Sequence, residues 1–124
     1  MSEFRVLGIS WIGIGSDSYD ETLALFRDIL GLEVETSVER QAILKTAAGQ
    51  QVEVFGREGP GKVRNTPPAI GFEVDDLDAA RDALIAGGVE LVGEPGSWDS
   101  HRWQYFRTPD GFMMSIKTSS GGPT

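Results

Sequence analysis

The chain has no cysteine. Disulfides and thiolate metal sites are excluded, and a cytoplasmic setting is the expectation. Histidine is nearly as scarce, with His101 the single copy in 124 residues. Basic residues are few: 11 Lys and Arg stand against 19 Asp and Glu, for a net charge of -8. Nucleic acid demands a basic surface, so that partner class is set aside. No apolar run reaches the length that spans a bilayer, and the opening MSEFRVLG lacks the basic and apolar regions of a secretion signal. What is present is ordinary for a globular protein: 40% hydrophobic and 24% charged residues. A chain of 124 residues suits one domain with a real core. The closing SSGGPT reads as a frayed tail.

The sequence says one thing twice. KTAAGQQVEVFG, from Lys45, and RTPDGFMMSIKT, from Arg107, share a basic residue, a Thr and a Gly at equal spacing, then an alternating strand. WIGIGSDSYDETLALFRDILGLEV, from Trp11, and AIGFEVDDLDAARDALIAGGVELV, from Ala69, each give a strand, an acidic turn, an amphipathic helix, a Gly stop and a strand. Ser18 and Glu21 stand in capping-box relation, and Leu23, Leu25, Phe26, Ile29 and Leu30 give the first helix a wide apolar face ending at Gly31. The second helix starts near Asp75 or Asp76, carries Leu77, Ala80, Ala83 and Leu84, and closes at Gly87 and Gly88. Three strand candidates follow each helix. The reading is α+β: tandem βαβββ modules over roughly residues 5–56 and 68–118, joined by the Gly- and Pro-rich segment 57–67. A single amphipathic helix covers one sheet face only, so the other face must bury itself elsewhere or enclose something. The glycines of WIGIGSD lack dinucleotide-fingerprint spacing, and Gly13 is read as allowing close strand packing.

The doubled pattern, with FRDILGLEV, FEVDDLDAARDALIAGGV and YFRTPDG in that order, resembles the vicinal oxygen chelate superfamily. That superfamily includes glyoxalase I, extradiol dioxygenases, methylmalonyl-CoA epimerase and bleomycin-resistance proteins. The resemblance covers about residues 5–118. It implies curved mixed sheets that form a cup around a ligand, helices outside, and a homodimer. In metal-dependent members four inward positions carry His or Glu ligands, and the motifs transfer them to Trp11, Glu53, Ala69 and Ser115. The repeat independently pairs 11 with 69 and 53 with 115. An indole, a methyl and a Ser hydroxyl are poor ligands, and one carboxylate cannot hold a transition metal. The expectation is a protein without metal or other cofactor.

The strand period then sorts the remaining residues by face. Gln51 and Phe55 go with Glu53; Met113 and Lys117 go with Ser115; His101 and Trp103 go with Tyr105. The resemblance places Trp103 and Tyr105 on the pocket wall, and the repeat adds Gln41 and Ile43. Trp98, in GEPGSWDSH, is expected on a loop at the rim. The candidate ligand-binding set is therefore Trp11, Gln41, Ile43, Gln51, Glu53, Phe55, Trp98, Trp103, Tyr105, Met113 and Ser115. This is an aromatic wall with a few polar groups, as small-molecule pockets have. Glu53 and His101 are candidates for acid–base work. No nucleophile system is visible. The leading reading is metal-independent binding or sequestration of a small molecule, aromatic or cationic. The alternatives are an isomerase, lyase or dioxygenase-like enzyme using Glu53 or an atypical metal site, and an interaction module whose cup its own side chains fill.

Overall fold

A computed structural model of the protein describes residues 3–56 and 68–119. The expected linker 57–67 and the tail from residue 120 lie outside the described residues. The described residues form eight strands and two α-helices, the α+β class that the doubled pattern predicts. Contacts divide the chain into two compact units, Ser10–Ala69 and Met1–Ile9 with Ile70–Thr124. Residues 3–9 thus belong with the second repeat, a division that the sequence pattern does not reveal.

The unit Ser10–Ala69 contains most of β1 (Val6–Ser16), α1 (Tyr19–Ala24), β2 (Glu33–Val38), β3 (Gln41–Lys45) and β4 (Gln51–Gly56). The strands lie in the order β2-β3-β4-β1, with β1 parallel to β4 and the other pairs antiparallel. Period-2 alternation sends Ala42, Leu44 and Val54 to one face, where they form a core with Tyr19, Leu23 and Phe26 from the helical segment. Leu44 and Val54 are fully buried, each contributing about 2 kcal/mol of transfer free energy.

The first helix departs from expectation. Ser18 is the N-cap residue, but its side chain caps nothing. Instead Ser16 Oγ accepts from the Ser18 N–H at 2.9 Å and bonds the Thr22 hydroxyl at 2.9 Å. After Ala24 the chain widens into a π turn, Leu25–Ile29, in which Leu30 N–H donates to the Leu25 carbonyl. One extra residue in a turn rotates the following side chains off the apolar stripe. Ile29 and Leu30, expected on the buried face, are exposed as a result, and Leu25, at the start of the turn, is exposed as well.

The second unit holds β5 from Ile70 onward (Ala69–Val74), α2 (Leu77–Ala86), β6 (Leu91–Trp98), β7 (His101–Arg107) and β8 (Met113–Thr118). Its order is β5-β8-β7-β6. Asp76 caps α2, accepting from the Ala79 N–H at 3.0 Å, and Gly87 follows the last turn. Val74, Leu77, Ala80 and Ile116 make the core, with Phe4, Phe72, Leu84 and Phe106 packed around it. Gln104, on β7, is fully buried on the side that meets Arg81 of α2. Its amide accepts from Arg81 Nε at 2.8 Å and donates to the carbonyls of Val92, Gly93 and Tyr105. Pro95 has no N–H to give a ladder, and it sits in the edge strand β6 where the register shifts between Val92 and Gly96.

The repeated turn phrase has a physical meaning. Thr46 and Thr108 each bond the backbone N–H four residues on through the hydroxyl, at 3.1 Å in both turns. Gly49 and Gly111 take φ of 91° and 92°, a left-handed conformation that suits glycine. The two hairpins are the same device.

Candidate functional site

In each unit the face opposite the helix carries the predicted site residues. In the first unit, register places Gly13, Glu53 and Ile43 in one row across β1, β4 and β3. Adjacent rows are Trp11, Gln51, Lys45 and Gly15, Phe55, Gln41. In the second unit the equivalent row is Gly71, Ser115 and Tyr105, and the next is Glu73, Lys117 and Trp103. The repeat therefore extends to the register of β1 on β4 and β3 on β4, matched by β5 on β8 and β7 on β8, and Glu53 and Ser115 occupy the same place in their own units.

Glu53 is the centre of the first face. The Trp11 indole N–H donates to its Oε1 at 2.9 Å, and Gln41 Nε2 donates to its Oε2 at 2.5 Å. Both partners are donors, the complement of a carboxylate, and each oxygen keeps a lone pair for a further group. Trp11 and Phe55 are buried, while Gln41, Ile43, Gln51 and Glu53 are half-buried. The arrangement presents a fixed carboxylate beside an indole and aliphatic surface, which suits a cationic or N–H-bearing group.

The second face carries Trp103, Tyr105 and Met113, all half-buried, with Ser115 and Lys117 buried. Alternation puts Lys117 on this face, and its burial is unusual for an ammonium group. Trp98 is not on a loop: it ends β6 opposite His101, and it is exposed because β6 is the edge strand. The two rings stack, with centroids 6.3 Å apart and planes 9° from parallel. His101 Nδ1 is buried with no hydrogen-bond partner among the described residues.

Gly13 was read only as a packing residue. An ideal Cβ there would stand 2.2 Å from Cη2 of Trp11, so the indole lies across the glycine. Gly96 has the same relation to Trp103, 2.4 Å from its Nε1. A glycine two places from a tryptophan on one strand is the signal for the first. The second depends on cross-strand register.

At the four transferred positions only Glu53 offers a good ligand, and its oxygens accept N–H groups that would face a bound cation. Among the described residues no group of three His, Cys, Asp or Glu side chains could hold an ion. Among the described residues, the donors at these four positions do not fit a divalent metal. No helix among the described residues is long and apolar enough to cross a membrane.

Comparison with protein families matches residues 8–116 to the Glyoxalase/Bleomycin resistance protein/Dioxygenase superfamily. Comparison with curated proteins gives no match. Among solved structures, the chain is similar to a Mn(II)-bound glyoxalase from Novosphingobium aromaticivorans, at TM-score 0.76 and 20% identity over 98% of this chain and 43% of that one. It is similar to methylmalonyl-CoA epimerase from Mycobacterium tuberculosis, at TM-score 0.70 and 20% identity over 93% of this chain and 89% of that one. A superfamily member from Vibrio splendidus 12B01 matches at TM-score 0.66 and 20% identity, over 94% of this chain and all of the other. At such identities the likeness is one of fold.

Proposed function

Since the chain belongs to the Glyoxalase/Bleomycin resistance protein/Dioxygenase superfamily, we propose that it binds a small molecule without metal, through Glu53 held by Trp11 and Gln41. That hydrogen-bonded carboxylate is the observation that carries the reading. Two neutral donors fix its direction while leaving its charge uncompensated by the bonds they make. A ligand with an aromatic body and a protonated amine meets the indole and the carboxylate together. Sequestration of a drug or metabolite in the cytoplasm needs nothing more. The protein works as a homodimer, for which the exposed Val6, Leu7 and Ile9 at the start of β1 offer an apolar surface.

The test is a thermal-shift screen of aromatic amines, neutral aromatics and acyl thioesters, with and without divalent metal ions. Cationic aromatics are expected to stabilise the protein independently of metal, and Glu53→Gln is expected to weaken them at least about tenfold, as removal of a charged acceptor implies. Stoichiometric transition metal in the purified protein, lost in Glu53→Gln, would overturn the reading.

A second reading draws on the fold likeness to methylmalonyl-CoA epimerase: an isomerase or lyase in which Glu53 or His101 moves a proton. Turnover of an acyl thioester that disappears in Glu53→Gln, with binding retained, would favour it over sequestration.

A further inference from the structure

Trp11 and Gly13 stand two apart on β1, so both project to the face that carries Glu53. The ring does not stand upright from the strand. Its Cη2 and Cζ2 lie 2.2 and 2.4 Å from the point where a Gly13 Cβ would be, and a third ring carbon lies at 3.1 Å. The indole fills the volume that any side chain at position 13 would need. Gly13 is the register partner of Glu53, so the ring crosses the bare Cα on its way to the carboxylate. Trp11 and Gly13 are both buried.

We propose that Gly13 is a positioning residue: the missing side chain selects the Trp11 orientation that holds Glu53, and through it the preference for ligands bearing a protonated amine. Only the ligand preference rests on the proposed function; the placement of the ring stands without it. A methyl group at position 13 cannot coexist with the indole where it lies. The strand backbone is pinned by pairing with β4 on this stretch, whereas the tryptophan has two rotatable bonds, so the ring is what moves. Its N–H then leaves Oε1, and Gln41 remains as the donor on the other oxygen.

The test uses the whole chain and needs no ligand for its first part. The Trp11 indole proton is identified in a nitrogen–proton spectrum by its loss in Trp11→Phe, and its bond to the carboxylate is read from its displacement in Glu53→Gln. In Gly13→Ala this resonance is expected to shift and to become insensitive to Glu53→Gln. A fluorescent acridinium dye then probes binding. Gly13→Ala is expected to weaken the dye about tenfold, the worth of one hydrogen bond to a charged group. In a Trp11→Ala background the same change is expected to alter affinity by less than about twofold, because no ring remains to be displaced.

A Trp11 resonance unmoved by Gly13→Ala overturns the inference, and so does an equal loss of affinity in both backgrounds. If Gly13→Ala does not fold, recovery of folding in the Gly13→Ala/Trp11→Ala double variant supports it, and continued failure overturns it. A dye that fails to bind the unaltered protein, with the resonance behaving as expected, removes the functional reading and leaves the positioning role standing.

Discussion

Tyr19 is buried, and its hydroxyl has no partner among the described residues. The ring itself is well used, packed in the first core and lying 5.6 Å under the Arg40 guanidinium. Tyr19→Phe keeps both contacts and removes an unsatisfied polar group, so it is expected to stabilise the fold by about 1 kcal/mol in chemical denaturation. The same variant has a pH signature. Burial raises the phenol above its ordinary value of 10.0, with the Asp20 charge adding to the shift and Arg40 opposing it. A group whose folded value is raised gives stability that is complete below the unfolded value and is lost as pH climbs through the folded one. Stability should therefore decline above about pH 10 in the unaltered protein, and more weakly in Tyr19→Phe. Gln104 is the opposite case, an amide whose oxygen and nitrogen are both engaged. Gln104→Met keeps the volume but strands three carbonyls and Arg81, and about 3 kcal/mol should be lost. Sequence alternation put Gln104 on the face away from Trp103 but could not show its burial. An amide looks like a surface group until Arg81, on a separate element, is seen to meet it. The Trp11–Glu53 bond was hidden in the same way. Both residues were marked by the repeat, yet the direction of the ring depends on a side chain that Gly13 lacks.

The two α-helices have similar sequence signals at their starts and different physics. Asp76 accepts a backbone N–H of the first turn of α2, whereas Ser18 makes no side-chain cap. Asp76→Ala should cost about 1 kcal/mol and Ser18→Ala only a few tenths, measured by urea unfolding. Ser16→Ala should cost more than Ser18→Ala, because Ser16 Oγ joins the Ser18 N–H to the Thr22 hydroxyl. A capping box is written in residue types, and Ser18-x-x-Glu21 satisfies it on paper. Which hydroxyl is used follows from where β1 hands the chain to the helix, and that is set by packing. The π turn escaped for a related reason: an extra residue in one helical turn leaves the apolar spacing nearly intact, while moving Ile29 and Leu30 into solvent. Strands were easier to read. Buried Ala42, Leu44, Val52 and Val54 fall at every second place, and a slip of one residue would expose them all. The exception is the later part of β6, where Pro95 and two glycines disguise the continuation of an edge strand as a loop. Trp98 was misplaced on that account.

At the scale of the whole molecule, charge is the property most open to trial. The net charge of -8 and the Glu53 carboxylate are both acidic, but they should act on different rate constants. A diffuse negative field speeds the approach of a cation, and salt screens it. The screening length shortens from about 30 Å at 0.01 M to about 8 Å at 0.15 M ionic strength. Glu53 instead touches the bound ligand and is partly shielded by Trp11 and Gln41, so its attraction is felt after arrival. Asp82 and Glu94 are exposed, and replacing them with Asn and Gln reduces the field without altering the Glu53 hydrogen bonds. Stopped-flow binding of an acridinium dye should show the separation. Raising the salt, or neutralising Asp82 and Glu94, should slow association severalfold with little change in dissociation. Glu53→Gln should accelerate dissociation about tenfold and leave association within about a factor of two. A neutral aromatic of the same size should show almost no salt dependence. If salt and Glu53→Gln changed the same rate constant, the carboxylate would be acting as one more surface charge. Its two hydrogen bonds would then be structural, and recognition would have to lie with other residues of the two faces.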